Sequence, residues 1–273
     1  MVIDLKYFTG TGNSLRILNS CREVFIEEGH SVSISSITDE KPIDTNIDMV
    51  GFCFPVYAFG IPRICRYYLK GIRSFSRLQK TFVLITAGSS EETGFAIKDC
   101  LQILKKKNCS IVYSEVVQMP INWTTSPIPP YPPSKEEAIE IIEKGIIQAK
   151  KAAHDILNGV NKQHVFNVPK RYGVFGLYKE YYVFKYLGIQ NMWRAFKIYD
   201  SCNSCKLCAS VCPTGSITLI DNKPSWKSSC EQCMRCVNFC PQQAIYQKWG
   251  GDTIGKNRYL EPNFKPLRHS IKG

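Results

Sequence analysis

Eight of the thirteen cysteines in this 273-residue chain are spaced to do chemistry together. Cys202, Cys205, Cys208 and Cys212 form the run Cys-x-x-Cys-x-x-Cys-x-x-x-Cys, closed by Pro213. Cys230, Cys233, Cys236 and Cys240 repeat it 28 residues later, closed by Pro241. Thiolates are soft ligands, and two uses compete. Three thiolates at this spacing wrap one face of an iron–sulfur cubane, with the fourth ligand drawn from elsewhere. Zinc also takes paired Cys-x-x-Cys, but it needs only four ligands per site and does not ask for the x3-Cys-Pro ending. The other five cysteines, Cys21, Cys53, Cys65, Cys100 and Cys109, stand singly among apolar residues. They read as small buried hydrophobes.

A second stretch suits a different chemistry. Thr9-Gly10-Thr11-Gly12-Asn13-Ser14 lies between the strand-like alternation of residues 2–8 and a helical pattern over 14–28 that stops at Gly29. A strand, a glycine loop and a helix N-terminus bring backbone N–H groups to one point, which is an anion site. The hydroxyls of Thr9, Thr11 and Ser14 and the Asn13 amide add neutral donors, and the loop contains no Lys or Arg. The pattern predicts a phosphate monoester held without a counter-charge.

The elements that must position these groups follow from periodicity. Strands are expected at 31–37, 48–54, 81–87 and 111–118, with helices near 62–70 and 93–107. A last helix over 135–158 opens with Ser134 and Glu137 in capping-box spacing and is followed by Gly159. Five strands alternating with helices predict an α/β fold with a doubly wound parallel five-stranded sheet. Ligands of such sheets sit beyond the carboxyl ends of the strands. The loops 9–14, 55–61 and 88–94 therefore converge. Pro55, Val56, Tyr57, Ala58, Phe59 and Gly60 supply aromatics and a flexible glycine, and Ala87, Gly88, Ser89 and Gly94 supply backbone donors. A flat heterocycle carrying a phosphate suits them.

The Thr9–Ser14 loop resembles the flavodoxin phosphate loop, Ser/Thr-x-Thr-Gly-Asn-Ser/Thr, and occupies the same place after the first strand. That resemblance covers residues 1–158. It implies a flavodoxin-like fold and FMN, with the phosphate on 9–14 and the ring flanked by the second and third loops. Gly60 corresponds to the glycine whose peptide rearranges with redox state in that family. The third loop, Gly88-Ser89-Ser90-Glu91-Glu92-Thr93-Gly94, departs from the family's usual acidic Gly-rich form. Tyr57 is the first choice to stack on the ring; Trp123 and Phe59 are the others. The cysteine runs resemble those of bacterial two-cluster ferredoxins. This implies a small α+β ferredoxin-like domain with two [4Fe–4S] clusters and crossed ligation: Cys202, Cys205, Cys208 and Cys240 on one, Cys230, Cys233, Cys236 and Cys212 on the other. A short strand over Gly215–Ile220, turning at Asp221-Asn222, is echoed by Gln243–Tyr246.

The whole chain is therefore similar to a flavodoxin–ferredoxin fusion of the ferrodoxin type. The expected divisions are an FMN domain at 1–158, an aromatic-rich helical connector at 159–199, the cluster domain at 200–250 and a basic tail at 251–273. The proline-rich stretch 119–133 reads as a connector or as a cover that brings Asn122 and Trp123 to the flavin or the cluster domain. The aromatics of the connector, among them Tyr172, Phe175, Tyr178, Tyr181, Tyr182, Tyr186 and Trp193, suit packing between domains better than a membrane surface.

The net charge of +12 is uneven: residues 201–273 hold 10 Lys+Arg against 4 Asp+Glu. Such a field favours redox partners with acidic docking surfaces. No nucleic-acid motif accompanies it. No apolar run reaches the length of a membrane span, and no signal segment is apparent, so a cytoplasmic location is expected. A homodimer is compatible with these features. The expected function is low-potential electron transfer, relaying single electrons between FMN, the clusters and partner oxidoreductases. No catalytic residue stands out, and His30, His154, His164 and His269 are scattered. The alternatives are an iron–sulfur flavoprotein oxidoreductase that reduces a small molecule directly, and a redox-sensing or scaffold subunit.

Overall fold

A computed structural model describes residues 1–39, 41–43, 46–89, 91, 93–127, 129–164, 173–250 and 252–268. Ser90 and Glu92 of the third loop, Tyr172 of the connector, and Gly251 and 269–273 of the tail, including His269, lie outside the described residues. The chain divides into two compact units. The first comprises Met1–Thr9, Asn13–Met119 and Glu140–Tyr182; the second comprises Gly10–Gly12, Pro120–Ile139 and Val183–Gly273.

The first unit is built on a parallel sheet. Its strands are β1 (Val2–Tyr7), β2 (Ser31–Ser36), β3 (Met49–Pro55), β4 (Gln79–Ala87), β5 (Cys109–Gln118) and β6 (Lys162–Gln163). Helix α1 (Asn13–Glu27) leads from β1 to β2, α2 (Arg63–Gly71) from β3 to β4, and α3 (Ala96–Lys105) from β4 to β5. Helix α4 (Lys135–Leu157) precedes β6, and α5 (Gly173–Val183) follows it. The order across the sheet is β2-β1-β3-β4-β5-β6, and every pairing within it is parallel. Up to β5 this is the flavodoxin-like doubly wound order, with the switch point between β1 and β3.

Five strands were expected and six are present. The sixth consists of two exposed polar residues pairing with Tyr113 and Ser114 on β5. It adds an edge without altering the order. Central strands β3 and β4 are buried on both faces, which explains their continuous apolar runs. The five single cysteines are all buried. Helix ends obey local rules: Gly29 (φ 79°) and Gly159 (φ 73°) take the left-handed conformation just beyond α1 and α4. At the start of α4, Ser134 N–H donates to Glu137 Oε2 at 2.9 Å, and Glu137 N–H donates to Ser134 Oγ at 3.2 Å.

The second unit contains α6 (Ile189–Met192), β7 (Phe196–Ile198), α7 (Leu207–Ser210), β8 (Ile217–Ile220), β9 (Lys223–Trp226), α8 (Arg235–Phe239) and β10 (Ile245–Gln247). Strand β10 pairs antiparallel with β7, and β8 forms a hairpin with β9. The hairpin turns on Asp221 (φ 48°) and Asn222 (φ 60°), the double left-handed step of a type I′ turn. Its core gathers Phe196, Ala209, Ile217, Trp226, Met234, Val237 and Ile245 with Cys212, Cys230 and Cys236. Three cysteines of the two runs are thus also core residues. No described helix is long and apolar enough to cross a membrane.

Candidate functional site

The two cysteine runs fold alike in backbone detail. Left-handed residues recur at the 28-residue spacing: Ser204 (φ 60°) with Gln232 (φ 56°), Lys206 (φ 64°) with Met234 (φ 58°), and Gly215 (φ 58°) with Gln243 (φ 48°). Only one of these six is glycine, so side chains accept an unfavourable conformation in order to curl each Cys-x-x-Cys loop. Short helices follow at corresponding places, α7 and α8. Each run also ends in the same bond: Ser216 N–H donates to Cys212 Sγ at 3.2 Å, and Ala244 N–H donates to Cys240 Sγ at 3.3 Å. Donors aimed at sulfur stabilise a thiolate, the form that binds iron.

Cys202, Cys205, Cys208 and Cys240 line one hollow together with Leu219, Pro224 and Ile245. Three of these cysteines come from the first run and one from the second. Cys212 in turn lies in the electrostatic neighbourhood of Cys230, Cys233 and Cys236. Burial pushes the free thiols up, Cys208 to about 12 and Cys233 to about 11; at Cys233 the Arg235 charge pulls the other way. Cys230 and Cys236 are also raised, again by burial first. Thiols so raised give up a proton when they take a metal. Among the described residues, no group of three His, Cys, Asp or Glu is close enough to grip a single metal ion. The donor set is all sulfur, the carbon walls are apolar, and backbone N–H groups point at the sulfurs. These features fit [4Fe–4S] clusters.

The glycine loop follows β1 as its sequence requires. Thr9, Thr11 and Ser14 are buried, and Ser14 Oγ hydrogen-bonds Thr86 Oγ1 at 2.9 Å at the end of β4. Gly12 has φ 114°, and a Cβ there would lie 2.5 Å from the Glu261 Cβ and 2.7 Å from the Phe264 Cβ. Glycine is thus required by both conformation and packing. Thr11 Oγ1 accepts from Asn122 Nδ2 at 3.1 Å, and the same amide donates to the Cys233 carbonyl at 3.2 Å. Trp123 packs on the core of the second unit beside Trp249, with centroids 6.0 Å apart. The backbone and hydroxyl donors at the start of α1 fit a phosphate.

The second loop is a tight turn. Tyr57 N–H donates to the Gly60 carbonyl at 2.8 Å, and Gly60 N–H donates back at 3.1 Å. The residues in the left-handed region are Ala58 (φ 47°) and Phe59 (φ 64°). Gly60 is needed for space: a Cβ there would lie 2.8 Å from the Tyr181 ring and 3.1 Å from Asp99 Oδ2. Phe59 is buried with Phe95, Leu177 and Tyr181, whereas Tyr57 stays partly exposed. Behind the turn, Tyr181 Oη donates to Asp99 Oδ1 at 2.5 Å, and Arg66 Nη1 lies 2.9 Å from that oxygen. Burial and the Asp99 charge raise Tyr181 far above an ordinary phenol. Pro55 ends β3, and the Val56 N–H donates to the Thr86 carbonyl at 3.0 Å. Ala87 ends β4, Gly88 and Ser89 are half-buried beyond it, and Gly94 takes φ 51° against Phe59. The Arg66–Asp99–Tyr181 network escaped sequence reasoning because its members lie on α2, α3 and α5, each at a position that periodicity alone assigns to an ordinary helix face.

Residues 201–245 match a family described as "4Fe-4S dicluster domain". Over 35 residues the chain is 51% identical to a "ferredoxin-like protein in nif region" of Nostoc sp., spanning 13% of this chain and 30% of that protein. The chain therefore spans under a third of that curated relative. A flavodoxin of Fusobacterium nucleatum, solved bound to flavin mononucleotide, is similar at 14% identity over 57% of this chain and 97% of its own, with a TM-score of 0.39. An azoreductase structure is similar at 12% identity over 56% and 99%, with a TM-score of 0.42. The strand order and the cysteine-rich match together describe a flavodoxin-like sheet followed by a 4Fe–4S ferredoxin-type domain. That organisation fits a flavodoxin–ferredoxin fusion.

Proposed function

We propose that the protein is a low-potential electron carrier that holds two [4Fe–4S] clusters and one FMN and relays single electrons between partner oxidoreductases. The observation that carries this reading is the hollow lined by three cysteines of the first run and Cys240 of the second. Cys202, Cys205, Cys208 and Cys240 would hold one cluster, and Cys230, Cys233, Cys236 and Cys212 the other. Thr9–Ser14 would hold the FMN phosphate, with Pro55–Gly60 and Ala87–Gly94 along the ring and Tyr57 its stacking partner. Clusters move electrons one at a time and FMN accepts or gives one or two, so one chain can match donors and acceptors of different stoichiometry. The protein's own part is to exclude water, aim N–H donors at sulfur and hold the phosphate.

On this reading residues 1–158 form the flavin domain, 159–199 the connector, 200–250 the cluster domain and 251–273 a basic tail. The 10 Lys+Arg against 4 Asp+Glu in residues 201–273 support docking to an acidic partner surface. Anaerobically purified protein tests the reading by iron, sulfide and flavin analysis joined to an EPR-monitored redox titration. About eight iron atoms per chain, two interacting cluster signals and one FMN are expected. Zinc in place of iron, or folded protein that takes up no flavin, would sink it. Steady NAD(P)H turnover of a small acceptor without any partner protein would instead make it an enzyme.

A further inference from the structure

The phosphate loop has no cation of its own, yet a guanidinium is buried against it. Arg235 is 7% exposed. Its Nε donates to the Gly10 carbonyl at 2.7 Å and its Nη1 to the Val211 carbonyl at 3.0 Å. The Phe264 ring lies over it, with its centroid 5.2 Å from the guanidinium carbon. One peptide further along the loop, Glu261 N–H donates to the Thr11 carbonyl at 2.9 Å. Gly10, Thr11, Val211, Arg235, Glu261 and Phe264 all belong to the second compact unit. In a trans peptide the C=O and N–H point in opposite directions. Binding the Gly10 and Thr11 carbonyls on one face therefore turns the Thr11 and Gly12 N–H groups toward the other. A full charge on the Gly10 carbonyl also polarises its peptide, which makes the Thr11 N–H a stronger donor to an anion.

We propose that Arg235, set between Cys233 and Cys236, is the positioning residue and counter-charge of the phosphate loop. Through it, a residue of the cluster-binding run determines the chain's preference for a phosphorylated flavin over the same flavin without its phosphate. The inference rests on the FMN reading above. Arg235 touches loop backbone and acts through it, so its effect belongs to the phosphate and not to the ring.

The test uses the full chain with its clusters loaded and compares FMN with riboflavin. Dissociation constants are read from flavin fluorescence in wild type, Arg235→Met and Arg235→Lys, with iron content followed in parallel. Wild type should prefer FMN. Arg235→Met should weaken FMN about tenfold, the scale of one charged hydrogen bond, and leave riboflavin unchanged, with Arg235→Lys between. Equal weakening of both flavins, an unchanged FMN constant, or a wild type with no preference for FMN overturns the inference. If Arg235→Met loses iron, Arg235→Lys carries the measurement. Loss of iron from both variants also overturns it, because Arg235 would then serve the cluster instead. A wild type that binds neither flavin overturns the FMN reading and this inference with it; a wild type that prefers FMN beside unaffected variants overturns this inference alone.

Discussion

The proposed crossed ligation would make the cysteines separable in pairs. Cys202→Ala and Cys240→Ala strike the same proposed cluster, so the double variant should lose about four iron atoms, as each single variant does. Cys202→Ala with Cys212→Ala strikes both and should lose about eight. Iron counting decides the matter; the reverse pattern would mean that each run keeps its own cluster. Tyr181 offers a second residue-level expectation. Burial first, and then Asp99, raise its hydroxyl above the ordinary phenol range. The folded state thus keeps a proton that the unfolded chain releases above about pH 10. Stability from this group is complete below that pH and is lost as pH rises further. Tyr181→Phe should destabilise by about 1–3 kcal/mol at neutral pH and flatten the alkaline decline measured by urea unfolding. The cysteines were legible because their chemistry depends on local spacing. Tyr181, Asp99 and Arg66 were not, because each looks like an ordinary helix residue until three helices bring them together.

The alternating elements could be read almost to their ends, since apolar period and glycine stops agree at β1, α1, β3 and α4. The capping box at Ser134 is a local rule that the structure obeys. Ser134→Ala should cost about 1 kcal/mol, visible as faster amide exchange in the first turn of α4. The sixth strand escaped notice because two exposed polar residues carry no periodic signal. The second loop carries a demand that local pattern does not encode: Gly60 makes room for the Tyr181 ring, while Ala58 and Phe59 take the left-handed conformation. Gly94 combines both demands: φ 51°, and a Cβ that would lie 2.6 Å from the Phe59 Cβ and 2.9 Å from its carbonyl oxygen. Gly94→Ala should therefore destabilise the first unit by about 2 kcal/mol or more, read from the urea midpoint.

At the scale of the molecule, the second unit has a small core in which cysteines of both runs are packing residues. Metal binding and folding are then one event. Removing iron with a chelator should abolish amide protection through residues 183–268 and leave the sheet of β1, β3, β4 and β5 protected. Equal loss in both units would count against this. Two fold classes could be read from the sequence because each is coded by local pattern. The membership of the second unit could not: Gly10–Gly12 and Pro120–Ile139 join it through partners more than 100 residues away, such as Asn122 on Thr11 and Arg235 on Gly10. That discontinuity orders events during synthesis. Gly10–Gly12 leaves the ribosome some 250 residues before the stretch that closes over it, through Glu261 and Phe264. At about 5–20 residues per second the wait is on the order of ten to fifty seconds. A nascent chain can finish its sheet in that interval but not its glycine loop, so on the FMN proposal flavin loading would be a late checkpoint. A chain arrested short of residue 259 would carry every cysteine and still lack a finished loop.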